Sequence, residues 1–95
     1  MEVFQPLVDF YDTIHDDNRI RVTHISVYLV LLHRWNLNGN KNPITVTRAS
    51  LMTAAKISAR QTYNKCMNEL HEYGYIKYLP SCNPSNGSMI YLNRL

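Results

Sequence analysis

Apolar positions along the chain change their spacing several times, and each change marks an element. Phe4, Leu7, Val8, Tyr11 and Ile14 recur every three to four residues, which predicts a short amphipathic helix with Pro6 in its first turn. Asp16-Asp17-Asn18 ends it. Thr23 is an N-cap for a second helix over 23–37, because Ile25, Tyr28, Leu29, Leu32 and Trp35 keep the helical period. Val27, Val30 and Leu31 widen that stripe, so this helix should be central, contacted on several sides, with Tyr28 and Trp35 in the core. Asn38-Gly39-Asn40 stops it, Gly39 being free to turn left-handed. Pro43 to Thr47 is too short for a helix and rich in β-branched residues, hence a brief strand. Thr47 then caps a third helix over 47–55 that buries Leu51, Met52 and Ala55. After a turn at Lys56-Ile57, Ser58-Ala59-Arg60-Gln61 has the form of a capping box, in which Ser58 and Gln61 exchange hydrogen bonds and open a fourth helix over 58–73. Gly74 ends that helix. Tyr75 to Leu79 alternates as a strand, residues 80–87 are dense in turn formers, and Ser88 to Leu92 is a second strand. The expected fold is mainly α with a β-hairpin over 75–92, an α+β class.

A chain of 95 residues without a repeat, a low-complexity tract or a linker is expected to be one domain, 1–95. Its 45% hydrophobic and 18% charged residues are those of a globular chain. No apolar run approaches the ~18 residues of a membrane span, and Met1-Glu2-Val3 has no basic leader region. A cytoplasmic protein with no membrane partner is the expectation. Cys66 and Cys82 form no close pair, and His15, His24, His33 and His71 lack metal-ligand spacing, so free thiols and no metal are expected. No glycine-rich phosphate loop and no nucleophile near a base in the sequence point to an enzyme or to a cofactor.

Charge changes the picture more than composition does. Residues 1–17 hold five acids (Glu2, Asp9, Asp12, Asp16 and Asp17) and no Lys or Arg. Residues 18–95 hold all ten Lys and Arg against Glu69 and Glu72, a balance of +8 inside a chain whose total is +3. A basic body this small favours a polyanionic partner. On the fourth helix Tyr63, Cys66, Met67 and Leu70 form the apolar side, which turns Ala59, Arg60, Thr62, Asn64, Lys65 and Asn68 outward as a polar face with two cations and no acid. The tyrosines at 63, 73, 75 and 78 fit core and hairpin packing better than base stacking.

Helix, strand, helix, tight turn, helix and hairpin in this order resemble a winged helix-turn-helix domain preceded by a short N-terminal helix. The resemblance is carried by the run from Ile57 through Ser58-Ala59-Arg60-Gln61 to Leu70, and by Tyr73-Gly74-Tyr75-Ile76 at the start of the hairpin. Transcriptional regulators and the DNA-binding domains of phage and plasmid replication initiators share the pattern. It implies that the fourth helix enters the major groove of double-stranded DNA, where Arg pairs with guanine and Asn with adenine. The implied DNA-binding residues are Arg48, Lys56, Ser58, Arg60, Thr62, Asn64, Lys65, Asn68, Lys77 and Asn86. Residues 80–88 lack the Lys or Arg usual at a wing tip, which leaves phosphate contact there to groups such as Asn86. It also keeps open a winged helix used only for protein interaction. The acidic segment 1–17 should lie away from DNA, either packed on the second helix or paired with its copy in a homodimer.

Overall fold

Four helices and a three-stranded antiparallel sheet, an α+β arrangement, make up the computed structural model, which describes residues 4–80 and 87–95. The elements follow in the order α1 (Gln5–His15), α2 (Val22–Leu37), β1 (Ile44–Val46), α3 (Arg48–Ala55), α4 (Arg60–Glu72), β2 (Ile76–Leu79) and β3 (Ser88–Leu92). β3 is the middle strand, with Ile44 opposite Ile90 on one side and Tyr78 opposite Ile90 on the other. Strand alternation therefore buries Ile44, Val46, Ile76, Ile90 and Leu92 on the inner face and leaves Thr45, Lys77, Leu79 and Met89 on the outer one. The layout is compatible with the one the resemblance implies. Among the described residues no helix is long and apolar enough to cross a membrane.

α2 is central, as its wide apolar arc requires, and packs against α1, α3, α4 and β3. Val27, Tyr28, Leu31 and Leu32 are buried from it. Gly39 takes the expected left-handed turn at φ 70°. Two hydrogen bonds seat α3 on it: Ser26 Oγ donates to the Ala55 carbonyl at 2.7 Å and Arg34 Nη2 to Ser50 Oγ at 2.9 Å. Trp35, expected in the core, is instead half-buried at its edge. The start of α2 also departs from expectation. The N-cap is Arg21, because the His24 ring folds back and its Nδ1 accepts the Arg21 backbone N–H at 2.9 Å. Thr23 is thereby inside the helix, and its carbonyl accepts the Cys66 thiol at 3.6 Å.

α1 turns inward a face that shares only Leu7 and Ile14 with the five positions its spacing outlines. Phe10 is its fully buried residue and lies flat on Tyr28, with ring centroids 4.0 Å apart and planes 7° from parallel. Leu7 and Ile14 pack beside it. Phe4, Val8 and Tyr11 are on the other side, 37%, 36% and 46% exposed. Two helical stripes coexist on this segment, and only docking on α2 chooses between them. The link from α1 to α2 is held by Asp17, which accepts Arg19 Nε at 2.8 Å, Arg19 Nη2 at 2.9 Å and the Tyr75 hydroxyl at 2.7 Å.

Candidate nucleic-acid interface

The α3–α4 pair begins at Thr47, whose Oγ1 accepts the Ser50 N–H at 3.2 Å and so caps α3 as its sequence predicts. α3 ends in a Schellman turn: Ile57 N–H bonds the Met52 carbonyl at 2.9 Å and Lys56 N–H the Thr53 carbonyl at 3.3 Å. This places Lys56 at φ 64°, in the left-handed region. Ile57 is half-buried against the core and anchors the turn. The chain stays extended through Ala59 (φ −97°, ψ 125°), which is the N-cap of α4. The expected capping box is therefore not formed. The Schellman turn and the Ile57 anchor use up two residues, helical geometry starts at Arg60, and Ser58 is left exposed in the turn with Gln61 released from it.

Tyr63, Cys66, Met67 and Leu70 are the buried residues of α4, as the spacing predicts. Burial pushes the Cys66 thiol up to about 12, which keeps it a neutral thiol. Cys82 lies outside the described residues. Arg60, Thr62, Asn64, Lys65 and Asn68 are all exposed, and with them Gln61. At about 100° per residue, Gln61, Lys65, Asn68 and, in the last turn, the exposed Glu72 fall at the centre of the outward face. Gln61, read from the sequence as the capping partner of Ser58 rather than a base reader, is instead exposed on this face, opposite the buried quartet. Arg60 and Asn64 share the flank towards the hairpin, where His71 Nδ1 accepts the Tyr78 N–H at 3.0 Å. Thr62 lies on the other flank, two turns before Glu69.

Both acids of α4 belong to its last two turns. Glu69 is turned towards α2 and the end of its own helix: His24 Nε2 lies 3.0 Å from its Oε1, and the hydroxyl of Tyr73, the C-cap of α4, donates to its Oε2 at 3.2 Å. Since His24 Nδ1 already accepts a backbone N–H, the proton is on Nε2 and is donated to Glu69. Burial pushes the Glu69 carboxyl up, but His24, Tyr73 and the Lys65 charge together hold it below its ordinary value. The first turns of α4 thus present amides, a hydroxyl and two cations to solvent with no carboxylate among them.

A groove of about 350 Å³ runs between the start of α3, α4 and the base of the hairpin. Arg48 and Asn64 meet on its walls, with Thr47, Tyr78 and Ser88. Gly87 also lines it with φ +73°, and a Cβ there would come within 2.9 Å of the Val46 carbonyl oxygen, so the chain passes β1 at glycine distance. Arg48, Lys56, Arg60 and Lys65 are exposed and make no ion pair among the described residues. Lys77 is not brought to this surface. Alternation along β2 puts it on the outer face of the sheet, its Nζ 5.6 Å from the centre of the Tyr91 ring, in a cavity shared with α1. Asn86 lies outside the described residues. No cluster of metal-ligating side chains occurs among those described. The chain matches no protein-family model, no curated protein and no solved structure.

Proposed function

We propose that the chain is a winged helix-turn-helix domain that binds double-stranded DNA and acts as a transcriptional regulator, with α4 in the major groove. The observation that carries this reading is the acid-free outward surface of the first two turns of α4, flanked by Arg48 and Lys56, which make no ion pair among the described residues. Arg60, Gln61 and Asn64 are the residue types that form bidentate pairs with base edges. Arg48, Lys56 and Lys65 supply positive charge for phosphates on either side, and Arg60 brings a fourth charge against the DNA backbone beside its base contact. A homodimer would present two such helices to two half-sites, and the stripe Phe4, Val8 and Tyr11 on α1 is the surface it would use.

The test is titration with random-sequence duplex at several salt concentrations, followed by selection of bound sites from a random pool. Binding at low salt with a slope of log K on log salt of about −3 to −4 is expected for four phosphate-contacting cations. On a selected site, Arg60→Ala and Asn64→Ala should each cost about 1–3 kcal/mol and relax base preference. A salt-independent complex, or none at low salt, overturns the reading. One observation favours the rival role in protein interaction: Leu79 and Met89, paired across β2 and β3, are 41% and 39% exposed on the outer sheet face. Under that role Leu79→Ser removes partner binding and leaves any duplex affinity unchanged.

A further inference from the structure

A second cavity, of about 650 Å³, opens between α1, α2, Asn40 and Asn42 of the following turn, Lys77 of β2 and the chain from Tyr91 of β3 onward. Its volume falls within the range of small-molecule sites. Tyr28, Trp35 and Tyr91 contribute flat aromatic surface to it, and Lys77, Arg94 and Asp9 contribute charge. The donors outnumber their partners. The Trp35 indole N–H is a buried donor with no hydrogen-bond acceptor among the described residues, although such groups are normally paired. Lys77 and Arg94 make no ion pair among the described residues. The one acidic side chain of the lining, Asp9, already accepts Gln5 Nε2 at 2.8 Å. Aromatic walls with unsatisfied donors and a positive balance suit one kind of occupant.

We propose that this cavity binds a small organic anion built on a planar apolar body. Its ring system would lie between Trp35 and Tyr91, and its anionic head would face Lys77 and Arg94. The proposal does not depend on DNA binding, since none of these residues lies on the outward face of α4.

Trp35 is the only tryptophan of the chain, so a site at its ring has its own optical readout. The probe is 1-anilinonaphthalene-8-sulfonate, an aromatic sulfonate that accepts energy from tryptophan. The expected result is saturable one-to-one binding with energy transfer from Trp35. Lys77→Gln and Arg94→Gln should each weaken it roughly three- to tenfold, as loss of one charged donor does at a partly exposed site. Asp9→Asn should tighten it, and Arg60→Gln on α4 and Val8→Ser on the outer stripe of α1 should leave it unchanged. All five positions can be checked for an intact fold by circular dichroism. Non-saturable binding, affinity unaltered in the Lys77→Gln/Arg94→Gln double variant, or equal affinity for the uncharged N-phenyl-1-naphthylamine overturns the proposal.

Discussion

Lys56 holds a left-handed backbone in which an L side chain is disfavoured by about 1–2 kcal/mol and glycine is not. Keeping a lysine there is reasonable if its exposed charge is used. Lys56→Gly is therefore expected to stabilise the fold by about 1 kcal/mol in urea unfolding while weakening duplex binding to cognate and random sequences alike. A glycine variant that binds as well as the parent would remove Lys56 from the interface. Asp17 is a second residue with a measurable signature. The Arg19 side chain and then the Tyr75 hydroxyl hold its carboxyl well below the ordinary 3.8, against burial, which pushes the other way. Because the folded value is the lower one, the stabilisation is complete above about pH 4 and is lost as pH falls through the folded value. Asp17→Asn should thus be less stable than the parent at pH 7, and the gap should narrow steadily from pH 4 towards pH 2. Urea unfolding followed by Trp35 emission at four pH values measures it; a gap independent of pH would show that the Asp17 charge contributes nothing. Neither residue was legible from its type. Lysine is not a turn former by propensity, and Asp17 meets Tyr75 across 58 positions of chain.

α1 and α4 show when a helical pattern suffices and when it does not. The apolar residues of α4 occupy a single arc, so Tyr63, Cys66, Met67 and Leu70 had one way to be buried. α1 carries apolar residues at 4, 8 and 11 and again at 7, 10 and 14, and both sets satisfy the helical period. Packing decides for the second set because only Phe10 reaches the flat face of Tyr28, with Tyr75 edge-on at 5.9 Å. Phe10→Ala should cost about 3–5 kcal/mol, whereas Tyr11→Ala should change stability by less than about 1 kcal/mol. Sedimentation of the same Tyr11 variant addresses the homodimer, which it should weaken if the outer stripe is the contact. An intact chain that sediments as a monomer at high micromolar concentration ends that idea. The boundary between α3 and α4 was misplaced for a related reason. A Ser-x-x-Gln run is a local signal, and it lost to a turn whose geometry is set by Ile57 packing on the core.

Across the whole molecule, six of the ten cations fall into two sectors that the linear charge count could not separate. Arg48, Lys56, Arg60 and Lys65 are exposed on and around α3 and α4, while Lys77 and Arg94 line the cavity beside α1. Removing any one of the first four should make the salt slope of duplex binding shallower by about 0.9, and Lys77→Gln should leave it unchanged. Equal slope changes at all five positions would refute this partition. What the sequence determined by itself is whatever depends on neighbours along the chain: seven elements in their order, the Thr47 cap, the Gly39 stop, the inward face of α4 and the acid-free first turns of its opposite face. What only the tertiary structure decided depends on residues far apart in the chain. The inner stripe of α1 needed Tyr28, the start of α2 needed the His24 ring bridging Arg21 to Glu69, and the edge position of Trp35 needed a cavity walled by five separate segments. The physical reason is one of range. Periodicity, capping and turn chemistry act within about five residues, whereas the choice among equally periodic faces is made by the apolar area and hydrogen bonds gained when distant segments dock.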